Sequence, residues 1–246
     1  MLANTIKKLS PNPKSRRKAY WHSVKAICKK YNFEYYKPNL IWINDENFKQ
    51  AQKEWPREFG MSNDRRFFLL NTARKLRHIP GDSADIGVRF GTSSFFINRG
   101  LDDPSRTHHL FDSFEGLSEP TAEDHDKKTN VTAWKKGDIC VEEAVTRKNL
   151  SMFSNCEFHK GWVPDRFPDV ANKKFVFVHI DVDLYQPTLD TLKFFYDRVS
   201  PGGVIVCDDY GFSSCPGAKQ AVEEFFADKK ETVFYIPTGQ AMIIKQ

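Results

Sequence analysis

Residues Phe175 to Tyr210 read FVFVHIDVDLYQPTLDTLKFFYDRVSPGGVIVCDDY, and the fold is decided in that stretch. FVFVHI (175–180) is apolar, rich in β-branched and aromatic residues, and too short for a helix. That is the pattern of a strand buried on both faces. Asp181 and Asp183 come where such a strand would leave a sheet. Thr188 to Val199 then reads as a helix with Leu189, Leu192, Phe195, Tyr196 and Val199 on one face, broken by Ser200-Pro201-Gly202-Gly203. Val204 to Cys207 is a second apolar strand, ending in Asp208-Asp209. A strand–helix–strand unit with a right-handed crossover makes the two strands parallel. Both therefore present acids at their C-terminal ends, the edge where open α/β sheets bind ligands. Like charges brought together there need a cation or shared protons. A hard divalent ion such as Mg²⁺, which takes oxygen ligands and keeps waters open to a substrate, meets that need. The plainer reading makes Asp183 a helix cap and Asp208-Asp209 a turn, but acids at the ends of both strands favour a site.

Working back towards the N-terminus, Pro80-Gly81-Asp82 makes a turn and Ala84 to Val88 a first strand. Asp85-Ile86-Gly87-Val88-Arg89-Phe90-Gly91-Thr92-Ser93-Ser94 then leads into a helix. Gly87 and Gly91 let backbone approach a ligand, and free N–H groups at the helix start add a weak anion preference. The pattern is neither GxGxxG nor a P-loop. His108-His109-Leu110-Phe111 is a second strand ending at Asp112, an acid placed to accept hydrogen bonds from ribose hydroxyls. Glycine loop plus acid is a nucleoside-cofactor signature. The absence of phosphate-type glycines favours S-adenosylmethionine over a nicotinamide dinucleotide. Ser118 to Asn130 is polar and aperiodic, the composition of a mobile loop over the site edge.

A third strand is expected at Glu157–His159, followed by the turn Gly161-Trp162-Val163-Pro164-Asp165 at the same edge. Trp162 is positioned either to stack on an adenine or to cover the core. His159 is a general-base candidate, because imidazole titrates near neutrality, although a lone histidine is more often structural. A helix over 216–226 and strands over 232–236 and 241–244 end the sheet. Upstream, helices are expected over 19–31 (Trp21, Val24, Ile27 and Cys28 inward), 46–53 capped by Asp45, and 65–77 capped by Asp64 with Phe68, Leu69, Ala73 and Leu76 inward. Residues 1–80 thus form a helical lead-in, and 81–246 an α/β domain.

The whole chain, 246 residues and 40% hydrophobic, is long enough for one good core and has no apolar run of membrane-spanning length. No signal peptide is visible, so a cytoplasmic protein is expected. Five cysteines without CxxC or Cys/His spacing exclude a zinc motif of that kind and a disulfide framework. Residues 1–37 carry ten Lys or Arg against one acid, Glu34. With no nucleic-acid motif beside it, that stretch reads as a solvated amphipathic segment.

GDSADIGVRFGTSS, FDSFEGL, GWVPDRFP, HIDVDLYQPTLDTL and SPGGVIVCDDYG, in that order between about residues 64 and 226, resemble the macrocin O-methyltransferase (TylF-type) family. The resemblance implies a Rossmann-like class I methyltransferase: a mostly parallel seven-stranded sheet flanked by helices, with S-adenosylmethionine and Mg²⁺ as cofactors. It further implies that Asp85, Gly87, Gly91 and Ser93 serve the methionine end of the cofactor. Asp112 and Ser113 would hold the ribose, Trp162 would lie by the adenine, and Asp181 would close the cofactor site. Asp181, Asp208 and Asp209 would ligate the metal, and His159 and Asp181 would serve catalysis. Asp85 replaces the family's usual Glu, and Val88-Arg89-Phe90-Gly91 lacks one of its glycines. The expected reaction is methylation of a hydroxyl on a sugar or glycoside acceptor, with a catechol-like phenol or a non-catalytic nucleoside-binding module as alternatives. The basic lead-in would favour an anionic acceptor, packing either beside the cofactor edge or against a second subunit as a homodimer.

Overall fold

The central strand forms where the sequence is apolar on both faces, and Gly87 and Gly161 follow directly on two of the other strands. The computed structural model describes residues 22–23, 25–30, 42, 44–55 and 60–246. These fall into two compact units, Met1–Asn44 and Asp45–Gln246. In the first, residues 22–23 and 25–30 are helical; Cys28 is buried, but Ile27, expected on the same inward face, is 53% exposed. Trp21, Val24 and the basic stretch before them lie outside the described residues.

The second unit opens with two helices, α1 (Glu46–Glu54) and α2 (Asn63–Lys75). Asp45 caps α1 as expected, accepting the Phe48 N–H at 2.9 Å. The cap of α2 is Ser62, not Asp64, whose carboxylate accepts from the Ser62 hydroxyl and the Arg65 N–H. On α2 the inward face is turned by one residue: Phe67 is buried, whereas Phe68 is only half-buried.

The sheet has seven strands: β1 (Asp82–Ile86), β2 (His108–Asp112), β3 (Cys156–Lys160), β4 (Phe175–Ile180), β5 (Val199–Cys207), β6 (Val233–Tyr235) and β7 (Ala241–Ile244). Their order is β3-β2-β1-β4-β5-β7-β6, parallel throughout except for β7, which runs antiparallel to both its neighbours. This is the class I methyltransferase sheet that the resemblance implies. The connecting helices are α3 (Thr92–Leu101), α4 (Glu143–Asn149), α5 (Tyr185–Phe195) and α6 (Pro216–Phe226). β4 is buried at every position, as its sequence requires, and packs with Ile86, Phe111, Leu192, Phe195 and Ile205 in the main core. β1 starts and stops two residues earlier than expected, because Gly87 leaves the extended region at φ +87. The Ser200-Pro201-Gly202-Gly203 break is absorbed into β5, whose pairing with β4 shifts register there.

The helices α1 and α2 belong to the sheet's own unit, so the compact boundary falls after Asn44 and not near residue 80. α2 lies against α3, with Phe48 of α1 meeting Phe67 and Phe96 at 5.3 and 5.8 Å between ring centroids, and Trp55 meeting Phe95 at 5.1 Å.

Candidate active site

The ends of β1, β2, β4 and β5 open into one large cavity of about 710 Å³ at the C-terminal edge of the sheet, within the second unit. On one side lies the loop from β1 to α3. A side-chain carbon on Gly87 would fall 1.9 Å from the Asp181 carbonyl oxygen, so only glycine lets these two strand ends lie so close. Gly91, also at positive φ, is the N-cap of α3, whose first residues Thr92 and Ser93 line the cavity. Asp85 is buried beneath the loop and does not line the cavity. It accepts from the Ser93 hydroxyl at 2.6 Å, the Ser94 hydroxyl and His179 Nδ1 at 2.8 Å. Burial works to raise its pKa, but the His179 imidazole and the Ser93 hydroxyl hold it below the ordinary value. Its role is to anchor the loop to the helix.

Asp112 lines the cavity at the end of β2 and accepts the backbone N–H groups of Arg89 and Phe114, each at 2.7 Å. Burial raises its pKa against those two bonds. Ser93, Ser113, Trp162 and Asp181 line the same cavity with Gly87 and Asp112, whereas of the expected cofactor residues Asp85 and Gly91 do not line it, Gly91 lying against Leu150.

Acids form the other side. Asp181, Asp183 and Asp209 line the cavity, and Asp208 does not. Asp208 is fully buried and committed elsewhere: Arg65 of α2 pairs with Oδ2, while Gln240 Nε2 at 2.7 Å and His179 Nε2 at 3.4 Å meet Oδ1. Asp183 and Asp209 instead face each other's neighbourhood. Asp209 Oδ2 accepts the Asp183 N–H at 2.9 Å, and Cys215 Sγ lies 3.4 Å from Asp183 Oδ1 and 3.8 Å from Asp209 Oδ1. Burial and the Asp181 charge push the Asp183 carboxyl up to about 7, and burial with the charges of Asp183 and Asp181 raises Asp209 well above the usual range. The Cys215 thiol is also raised by burial, and in the metal-free protein it is placed to donate to both carboxylates. Asp181 too is raised, by burial against the pull of His179 and Arg65.

These oxygens fit a hard divalent cation. Asp208 has its counter-ion in Arg65, whereas Asp183 and Asp209 have no ion pair among the described residues and burial with neighbouring carboxylates raises them both. Asp183, read from sequence as a cap or a fourth carboxylate, is thereby the acid that pairs with Asp209. The helix α5 that follows has Leu184 as N-cap without a side-chain bond; its first turn is held by Asp124, which accepts the Tyr185 N–H at 2.7 Å.

His159 is not brought to the site. It is a buried residue of β3, with Nδ1 3.0 Å from Asp169 Oδ2 and Nε2 3.0 Å from His109 Nδ1, and its pKa is lowered by burial. Three cavity residues escaped the sequence reading. Arg65 comes from the lead-in, Trp134 from the segment just past the polar stretch 118–130, and Cys215 from the turn before α6; the Trp134 indole N–H reaches Cys215 Sγ at 3.4 Å. The polar stretch is not a free lid either, since Asp124 is buried and tied to α5 and to Thr121.

The macrocin-O-methyltransferase (TylF) family profile matches residues 7–234. The chain belongs to that family. Among its relatives, the 8-demethyl-8-(2,3-dimethoxy-alpha-L-rhamnosyl)-tetracenomycin-C 4'-O-methyltransferase of Streptomyces olivaceus is 32% identical over 149 residues, 57% of each protein. The mycinamicin III 3''-O-methyltransferase of Micromonospora griseorubida is 31% identical over 157 residues, 60% of this chain and 61% of that protein. The chain thus spans about three fifths of the length of the curated relatives it matches. The O-methyltransferase NovP superposes with a TM-score of 0.64 at 26% identity, over 75% of this chain and 81% of that one. Within this TylF-family chain, no described helix is long and apolar enough to cross a membrane.

Proposed function

We propose that this protein is an S-adenosylmethionine-dependent O-methyltransferase acting on a hydroxyl of a sugar or glycoside. The observation that carries the reading is the single cavity with a glycine loop and Asp112 on one side and three raised carboxylates on the other. S-adenosylmethionine, when bound, supplies the electrophilic methyl group. Gly87 and Ser93 give its methionine end backbone to lie against, Asp112 accepts ribose hydroxyl protons in hydrogen bonds, and Trp162 offers a face to the adenine. Asp183 and Asp209, with Asp181 beside them, would hold Mg²⁺, which when bound lowers the pKa of an acceptor hydroxyl and fixes its direction. Asp181 accepts no hydrogen bond from any described residue and faces the cavity; its raised carboxyl is suited to take the hydroxyl proton at Oδ1 or Oδ2. Walls from Trp134 and Trp162 keep water from the reacting atoms.

The acceptor class rests on the family and on one relative whose name specifies a rhamnosyl-bearing substrate. Arg89 at the cavity, which has no ion pair among the described residues, favours an anionic handle on it, such as a phosphate-linked sugar. Mass spectrometry of reactions with glycoside, sugar-nucleotide and phenol acceptors tests this. A mass gain of one methyl on a sugar hydroxyl, lost on chelation and restored by Mg²⁺, is expected. Turnover of phenols alone would move the acceptor class, and cofactor binding without any product would leave a binding module.

A further inference from the structure

On the sheet face covered by residues 167–170, outside the cavity, β2 and β3 assemble a second group of ionisable side chains. His109 stands opposite Glu157 and Phe111 opposite His159 in the β2–β3 register, so both histidines and Glu157 share one face. His109 Nδ1 lies 3.0 Å from His159 Nε2. The Glu157 carboxylate spans the pair, with Oε2 3.8 Å from His109 Nδ1 and Oε1 3.8 Å from His159 Nε2. Each ring's outer nitrogen has its own carboxylate: His109 Nε2 is 3.3 Å from Asp82 Oδ2, and His159 Nδ1 is 3.0 Å from Asp169 Oδ2. Both histidines are buried, while Glu157 is 57% exposed and leaves a way in from solvent.

The proton count decides what this arrangement suits. A carboxylate only accepts, so the outer nitrogens carry the N–H groups. The two inner nitrogens then point lone pairs at each other across 3.0 Å with a carboxylate alongside. With both rings neutral, moving a proton inward leaves a lone pair facing Asp82 or Asp169, and the alternative is a charged imidazolium in a buried pair. A cation between the inner atoms satisfies every group at once.

We propose that His109 Nδ1, His159 Nε2 and the Glu157 carboxylate form a zinc site separate from the cavity acids, with Asp82 and Asp169 orienting the two imidazoles. Tetrahedral zinc with bonds of about 2.0–2.1 Å sets its ligand atoms about 3.3 Å apart, and the separations of 3.0 and 3.8 Å bracket that spacing. Two imidazoles and one carboxylate select zinc over Mg²⁺, and carboxylates behind ligating histidines are the usual support of such sites. The ion ties edge strand β3 to β2. Through His159, two residues before Gly161, it also steadies the Gly161–Trp162 turn that lines the cavity.

The test is calorimetric titration of ZnCl₂ into metal-stripped, full-length Cys215→Ser protein, which removes the thiol in contact with Asp183 and Asp209, with CoCl₂ absorption in parallel. One high-affinity site is expected, with cobalt d–d bands and no thiolate charge-transfer band. Glu157→Gln should weaken zinc at least about tenfold, and Asp169→Asn about 10–100-fold. His159→Gln should abolish binding; if circular dichroism shows it unfolded, the exposed Glu157→Gln decides. Absence of zinc binding, a thiolate band, or unchanged affinity in Glu157→Gln overturns the proposal.

Discussion

Asp112 and the Asp183–Asp209 pair are acids made costly by burial, and they differ in what compensates them. Two backbone N–H groups already hold Asp112, so its remaining lone pairs are aimed rather than free to turn. Asp112→Ala should weaken S-adenosylmethionine binding by about 1.5–3 kcal/mol, the worth of hydrogen bonds to a charged group, with the fold retained. Calorimetry that finds unchanged affinity would take Asp112 out of the cofactor site. For the pair, the sign of the pH effect follows from raised folded-state pKa values. A carboxyl that binds its proton more tightly when folded adds stability below its unfolded pKa, and that contribution is lost as pH rises through the folded value, about 7 for Asp183. Metal-free protein should therefore lose thermal stability between about pH 4 and 7. Asp209→Asn should flatten that loss, and Mg²⁺ should raise Tm at pH 8 far more than at pH 5. Parallel melting curves for wild type and variant, with or without Mg²⁺, would contradict this pairing. The sequence showed that acids gather at these strand ends, because position along a buried strand fixes that. It did not show that Arg65, from a helix more than a hundred residues earlier, neutralises Asp208 and leaves Asp183 to partner Asp209. That choice depends on a tertiary contact which no local pattern records.

Elements buried on two faces were the most legible. β4 lies where its apolar pattern puts it, because nothing but the interior suits FVFVHI, and β7 and α6, each buried on one face only, also lie at their expected bounds. The amphipathic helices were less so: on α2 the inward face is shared with buried Arg66, which shifts the apparent stripe by one residue. The expected loose lid over 118–130 is instead held by Asp124, whose oxygens serve both its own turn and the start of α5. A single acid in a polar run gives no sign of such a bond. The contact that carries Arg65 to the site is the α2–α3 crossing, and it depends on Gly100. A side-chain carbon there would sit 2.5 Å from the Leu70 carbonyl oxygen and 2.6 Å from Ala73 Cβ, backbone and a stub with nowhere to move. Gly100→Ala should push the helices apart and cost about 1–3 kcal/mol, read as a lowered denaturation midpoint with an unchanged slope. A midpoint equal to wild type would mean that the crossing is looser than these distances.

At the scale of the molecule, the division of labour is set by which helices share the sheet's core. Every cavity residue lies between Gly60 and Cys215, and Phe48 and Trp55 pack their rings against α3 inside the same unit. A cut near residue 60 or 80, which the strand pattern alone invites, would remove α1 and strip the cover from Phe95 and Phe96, exposing aromatic surface that favours aggregation. A cut before Asp45 leaves Asp45 in place to cap α1 and to pair with Arg74 at 2.9 Å. Residues 45–246 are therefore expected to unfold in one cooperative transition and to bind S-adenosylmethionine with the affinity of the full chain, because the glycine loop, Asp112 and Trp162 are all retained. The same fragment starting at residue 61 should melt early or precipitate. If the shorter fragment proves as stable as the longer one, α1 is an appendage and not part of the core. If 45–246 folds but fails to bind the cofactor, the first 44 residues complete the cofactor site.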